Sequence, residues 1–313
     1  MAQPVNLYSS NDMVGIREDL RDAIYDISPT ETPLLTRLKK MKATARKHEW
    51  QTDALRSSAN NANIEGADIT PPAISPTTRL DNQVQMFVEA VTITDLDGSL
   101  KKAGRAKEMA YQMKRKIQVM KLDAERALYL NNAKVVGTDT VAGELAGAQT
   151  WFTTNTSNGG GGSDATGDGS DTRTAGTPRA LTQTIFEGVM QAAWTAGGKP
   201  TEVFLHGDQM AVVTGFTGYN NQRTTLAAGS KTVVNAVDVF VTQWGTVKFK
   251  MCRECPSTEV FIMDPDMWSI GELQGMRNYE LAKTGSSEKR ALDWTWTLAC
   301  HNEAASGLIA DLS

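Results

Sequence analysis

No stretch of the chain approaches the roughly 18 apolar residues of a membrane-spanning helix. Its start, Met1-Ala2-Gln3-Pro4-Val5-Asn6, lacks the charged and apolar regions of a secretory signal. We therefore expect a protein with no membrane segment that stays in the cytoplasm where it is made. Cysteines number three, an odd count that without an export signal argues for free thiols and against a disulfide framework. Histidines also number three, His48, His206 and His301, and none stands near a serine or cysteine in a recognisable nucleophile arrangement. The G-x-x-x-x-G-K-[ST] phosphate loop, G-x-G-x-x-G, H-E-x-x-H and the G-x-S-x-G elbow are all missing. These absences give no catalytic residue, no cofactor-binding residue and no metal ligand, and we read the protein as not an enzyme. A hydrolase built on an unmarked carboxylate pair is the reading such a search leaves untouched.

Two weak signals resolve to bland readings. Cys252-Arg253-Glu254-Cys255 has the spacing of half a zinc site, and Cys300-His301 formally completes four ligands. A structural site normally brings a second spaced pair, whereas Cys300 and His301 are adjacent, so we read small buried or half-exposed thiols. Asp164, Asp168 and Asp171 miss the calcium-loop spacing and read as solvated loop carboxylates.

What is present is ordinary in bulk and uneven in detail. With 313 residues and 40% hydrophobic content, the chain can bury one large core or two modest ones, and 22% charged residues suit a globular protein. Between Ser57 and Arg79 lie 23 residues whose only large aliphatics are Ile64, Ile69 and Ile74, among Asn60, Asn61, Asn63, Pro71, Pro72 and Pro76. Such a segment cannot bury a core of its own, and a long structureless loop in a compact domain is usually functional or disordered. It sits between strand-like runs at Thr44–Arg56 and Leu80–Thr94, the latter alternating Val84, Met86, Val88 and Ala90. We read it as the tip of a long hairpin that projects onto another subunit, with Ile64, Ile69, Pro71, Pro72 and Ile74 as contact residues.

From Leu100 to Asn131 nine basic residues face three acidic ones, so the segment carries +6 and the remainder −10. Ala106, Ala110, Met113, Ile117, Met120, Ala124 and Ala127 recur at alternating steps of four and three, one face of an α-helix. Ser99 is the expected N-cap. About 32 residues at 1.5 Å rise give a helix of roughly 48 Å, long enough to serve as a spine. Lys107, Lys114 and Lys121, seven apart, line one flank of its apolar stripe; they form a solvated face, or one that meets phosphates or acidic neighbours.

Around these features the chain reads as follows. Residues 1–43 form an arm with an amphipathic piece carrying Val14, Ile16, Leu20, Ile24 and Ile27. Pro29 and Pro33 break it, and a short helix with Leu34, Leu35, Leu38 and Met41 follows. Ala133–Pro178, with Gly159 through Gly162, reads as a flexible surface loop. A helix from Thr182 presents Ile185, Val189 and Ala192 and stops at Gly197-Gly198. A strand at Glu202–His206 precedes a short helix capped by Asp208, and strands follow at Val239–Thr242, Val247–Met251 and Val260–Met263. Near the end, Leu292, Trp294, Trp296, Leu298 and Cys300 alternate with Asp293, Thr295, Thr297 and Ala299, a half-buried strand expected to pack under the long helix.

This order of arm, hairpin, lone long helix, inserted α+β unit and closing strand resembles the major capsid (major head) proteins of tailed bacteriophages, which share the fold named after phage Hong Kong 97. Lys47-His48-Glu49-Trp50-Gln51-Thr52-Asp53-Ala54-Leu55 and Leu292-Asp293-Trp294-Thr295-Trp296 look like one branch of these proteins. The resemblance implies an α+β, Hong Kong 97-like fold. Its parts would be an N-terminal arm (1–43), an extended hairpin loop (44–97) and a peripheral domain with the spine helix and Gly-rich loop (98–181). An axial domain (182–275) and a return strand of the peripheral domain (276–313) would complete it. It implies self-assembly into hexamers and pentamers of an icosahedral head enclosing double-stranded DNA, held by non-specific contact. Assembly in the host cytoplasm would place the mature protein in the virion. Portal and decoration proteins are the further partners the resemblance implies, and because some forty residues precede the hairpin where some members carry a fused scaffolding segment of about a hundred, we expect a separate scaffold protein or assembly without one. From Asp53 to Gln85 there is no lysine, which closes the isopeptide cross-link some members form from this loop. The alternatives are an encapsulin-like shell packaging cargo enzymes and, from another class, a non-specific nucleic-acid-binding protein using the basic helix.

Overall fold

A computed structural model describes residues 28–313 except 57, 67, 69, 70, 72, 75, 101–106 and 217–238. The amphipathic piece from Val14 to Ile27 lies outside the described residues. The architecture is α+β, with a four-stranded sheet, a six-stranded sheet and a two-stranded ribbon.

The four-stranded sheet has the order β1-β10-β11-β4, built from Lys39–Lys42, Trp268–Glu280, Ser287–Cys300 and Gln85–Thr94. Its centre is β11, expected to be half-buried. Its last ten residues are buried on both faces instead, because the polar face finds partners for its polar atoms. Asp293 receives Arg277 through two guanidinium nitrogens at 2.6–2.8 Å, and the Thr297 hydroxyl donates to the Gln83 carbonyl at 2.7 Å. On the apolar face Trp296 stacks on Phe87 with ring centres 5.2 Å apart, and Trp294 follows at 5.5 Å.

The long helix is shorter than the periodicity implies. A five-residue helix α2 (Asp95–Ser99) ends where Leu100 turns extended, and α3 runs from Glu108 to Tyr129, 22 residues or about 33 Å. Ser99 therefore closes a short helix, and the extended residue before α3 is Lys107. Met113, Met120, Ala124, Ala127 and Leu128 bury the expected stripe against β4 and β11, while Ala110 stays exposed. The second strand-like run also divides, at Val84. Thr78–Gln83 (β3) pairs with Lys47–Thr52 (β2) in the hairpin, and Gln85–Thr94 (β4) leaves it to pair with β11. Leu34, Leu35 and Leu38 are buried around α1 (Pro33–Arg37), but Met41 belongs to β1, which runs parallel to β10.

The six-stranded sheet runs β5-β12-β9-β6-β8-β7: Thr156–Ser157, Gly307–Ile309, Val260–Met263, Glu202–Leu205, Gly245–Met251 and Val239–Thr242. Strands at 156–157 and 307–309 thus complete the sheet whose centre lies in the 202–263 stretch. Helix α4 (Gln183–Thr195) covers it. The Thr182 hydroxyl caps α4 by accepting from the Ile185 amide. Its buried face is Phe186, Val189, Met190 and Ala193, rotated by one residue from the expected stripe, and Phe186 meets Phe240 and Phe249. The cap of α5 (Gly207–Thr214) is His206, whose ring accepts from the Asp208 amide, in place of Asp208 itself. One hydrophobic cluster joins α1, α3, β4, β10 and β11, and a second joins α4 to the six-stranded sheet.

Candidate intersubunit surface

The hairpin is held firmly at its base and by little at its tip. Strand β2 alternates outward Lys47, Glu49 and Gln51 with inward His48, Trp50 and Thr52. Outside, Lys47 and Arg79 pair with Glu49 at 2.8 and 3.1 Å, and Lys134 reaches Asp81 at 3.3 Å. Inside, Trp50 packs on Trp151 at 5.4 Å. Asn82, fully buried, donates to the Leu298 carbonyl at 2.7 Å and accepts from the Ala146 amide at 2.9 Å, which ties β3 to the body. The direction in which the hairpin leaves the body is thereby fixed.

Beyond Thr52 the character changes. Every described residue from Asp53 to Thr77 is exposed, including Ile64 at 83%, Ile74 at 94% and Leu55 at 100%. Pro71 is exposed as well, whereas Ile69 and Pro72 lie outside the described residues. Local hydrogen bonds here include Ala54 N to Asp53 Oδ1 and Ala62 N to Asn60 Oδ1, while at the foot of the tip the Thr77 hydroxyl donates across the hairpin to Gln51 Oε1 at 3.2 Å. Of the basic row, Lys114 and Lys121 stand on α3 and Lys107 is the extended residue just before it; all three are exposed, and none forms an ion pair among the described residues. Lys116, two residues beyond Lys114, is paired with Glu89 at 2.8 Å.

Two polar clusters that the sequence reading missed hold the body together. Glu125 stands on the buried side of α3 and accepts from the Leu34 and Leu35 amides at 3.0 and 2.7 Å, and from the Tyr129 hydroxyl at 3.1 Å. Those amides open α1, whose own Thr32 supplies no side-chain cap, so the carboxylate satisfies a helix N-terminus supplied by residues 90 and 91 positions earlier. Burial pushes the Glu125 carboxyl above its ordinary range despite these donors. A charge beside Ala124 and Ala127 on an apolar stripe was the available signal.

The second cluster overturns the expectation of a flexible loop at 133–178. Buried Arg173 donates to Gln149, Glu259 and Asp311 at 2.9, 3.1 and 3.0 Å, and Asp311 also accepts from the Gly159 amide at 2.9 Å. Asp164 accepts from Thr156 and Asn158, and Asp171 from Thr166, so these carboxylates organise the loop from within. Gly159 is buried, and a Cβ on Gly176 would come 2.6 Å from the Gly159 carbonyl oxygen. The glycines permit close backbone packing here.

The cysteines lie in the core. Cys252 sits beside Glu125 at 3.5 Å, and burial pushes its thiol up to about 12 and those of Cys255 and Cys300 well above the usual range. Protonated thiols are poor metal ligands. Among the described residues no three His, Cys, Asp or Glu gather to hold a metal.

A body of two sheets, each with a helix laid on it, and an anchored, exposed hairpin is the fold of Hong Kong 97-type shell proteins. It is shared with the capsid of cyanophage A-1(L) at a TM-score of 0.67 and 12% identity, covering 97% of this chain and 98% of that one. It is shared with Microbacterium phage Oxtober96 at 0.61 and 9%, covering 95% and 96%. An encapsulin of Synechococcus elongatus matches at 0.56 and 10%, covering 93% and 92%, so the fold alone does not separate phage heads from bacterial compartments. The family does: the model of the SU10 major capsid protein matches residues 5–313, and the chain belongs to that family. The major capsid protein of Escherichia phage Phieco32 is 26% identical, over 99% of this chain and 97% of its own length. Family and fold together make the chain a subunit that self-assembles into an icosahedral head enclosing the phage genome.

Proposed function

We propose that within this head the hairpin tip is the principal reach from one subunit to the next. Residues 53–77 lie over an adjacent copy, and Ile64, Ile69, Pro71, Pro72 and Ile74 supply the apolar contacts. The observation that carries this reading is the contrast between a base fixed by Trp50 and Asn82 and a tip whose Ile64 and Ile74 are almost wholly exposed. Exposed aliphatics on a rigid stem cost little to bury on a partner, since the direction of approach is already set. Repeated around closed rings, such modest contacts sum to a stable shell.

In the same reading residues 1–43 are the N-terminal arm and 44–97 the extended loop. Residues 98–181 form the peripheral domain around the spine helix and 276–313 return to it, apart from Thr156–Ser157 and Gly307–Ile309, which add strands to the six-stranded sheet. Residues 182–275, up to the point where β10 enters the four-stranded sheet at Trp268, form the axial domain gathered about the centres of pentamers and hexamers. The row of Lys107, Lys114 and Lys121, without an ion pair among the described residues, meets packaged DNA by non-specific contact, which the +6 charge of the segment favours. Separate scaffold, portal and decoration proteins complete the particle, assembly takes place in the host cytoplasm, and the mature subunit resides in the virion.

Replacing residues 58–73 by Gly-Gly tests the main proposal. Electron microscopy and sedimentation should then show folded subunits that form no closed shells. Shells of normal size and heat resistance would refute it. For the basic row, the triple variant K107Q/K114Q/K121Q should lower the salt slope of duplex DNA binding by about 2–3, near 0.9 per phosphate contact; an unchanged slope removes that contact.

A further inference from the structure

Of the chain's three histidines, two meet at the base of the hairpin. The rings of His48 and His301 both pack on Trp50, with centres 5.8 and 6.3 Å away. His48 lies against Gly271 of β10, where a Cβ would come 3.2 Å from the imidazole Cδ2. His301 shares a 2.8 Å hydrogen bond with the Ser269 hydroxyl through Nε2, and its amide donates to the Met267 carbonyl at 2.9 Å. This seat is made of ring contacts and has few polar partners. The indole nitrogens of Trp50 and Trp151 are buried there without a hydrogen bond.

Charged groups on the surrounding elements are engaged elsewhere. On β2 and β3, Glu49 pairs with Lys47 and Arg79, and Asp81 with Lys47 and Lys134. On β1 and β10, Lys39 pairs with Asp266, and Glu272 takes Lys40 and the Trp294 indole. Beyond β11, Glu303 accepts from Thr153 and Thr154. Among the described residues no carboxylate is therefore positioned to welcome an imidazolium beside Trp50. Burial holds both histidines below their ordinary range, and His48 lowers His301 further.

We propose that His48 and His301 make the hairpin base a proton-sensitive hinge. Mild acidification charges both rings, unseats Trp50, and lets the hairpin swing about its remaining ties at Asn82 and Gln83. The sign follows from proton uptake. The seated state holds its histidines neutral and binds fewer protons than the unseated state, so seating is strongest above the ordinary histidine range and weakens as pH falls through it. Two rings per subunit make the response steeper than one. The inference stands on the hairpin base and holds wherever the tip rests.

Amide hydrogen exchange on assembled particles between pH 7.5 and 5.5, corrected for the intrinsic pH dependence of exchange, tests it. Peptides covering 46–53 and 78–84 should lose protection about tenfold or more on acidification, while residues 292–300 of β11 keep theirs. The double variant H48Q/H301Q should flatten that response. Constant protection at the hairpin base across this range, or the same loss in the double variant, overturns the proposal. Should the variant fail to assemble, exchange at the histidine ring C–H positions of the native particle decides. Midpoints for His48 and His301 below about 6.5 support the hinge, and midpoints at or above that value overturn it.

Discussion

Two long segments of this chain are poor in aliphatics and rich in Gly, Pro, Asn, Ser and Thr, yet one is sewn into the body and the other is not. Residues 155–177 are closed by Arg173, Asp164, Asp171 and Asp311, each bonded to groups distant in sequence or across the loop. Residues 53–77 have no buried member among those described. The lesson is that low hydrophobicity fixes only how a loop is held, by polar bonds instead of core burial. Whether those bonds close within the subunit or on a neighbour decides whether the loop is structure or interface.

Breaking the closed loop should have the largest effect. Arg173→Leu leaves Glu259 and Asp311 as buried charges without their cation, and chemical denaturation of the unassembled subunit should show a loss of about 3–5 kcal/mol. Gly176→Ala forces a methyl against the Gly159 carbonyl and the Gly162 amide, and the same measurement should give a loss of roughly 1–3 kcal/mol. At the other extreme, the Gly-Gly replacement of 58–73 removes no buried contact among the described residues, so subunit stability should stay within about 0.5 kcal/mol of the native value. A large loss in that variant would erase the contrast between the two loops, because the tip would then be part of the subunit's own core.

Much of the architecture was legible in the amino-acid order. The strands at Val239–Thr242 and Val260–Met263, the helix capped by Thr182 and the paired legs around Trp50 all follow from local periodicity and turn chemistry. Periodicity failed where a run changes partner without changing pattern. At Val84 the alternation continues while the chain passes from the hairpin to the four-stranded sheet, and a helical stripe that starts at Ala106 hides the extended residue Lys107. Burial of polar groups was illegible for a different reason. Glu125 and Arg173 earn their place through Leu34, Leu35, Glu259 and Asp311, at separations of 86 to 138 residues, and nothing in a local window marks such partners. Asp293 and Thr297 likewise read as a solvent face because Arg277 and Gln83 lie outside their strand. For the candidate surface, composition marked the tip, but only the geometry of Trp50, Trp151 and Asn82 revealed how firmly its stem is held.

The central claim is that this subunit leaves part of its stabilising surface to be completed by another copy. Cryo-electron microscopy of the assembled head at side-chain detail tests it most directly. The account predicts residues 53–77 lying across an adjacent subunit, with Ile64 and Ile74 buried there. A tip folded onto its own subunit, or one left in solvent in the closed shell, would contradict it.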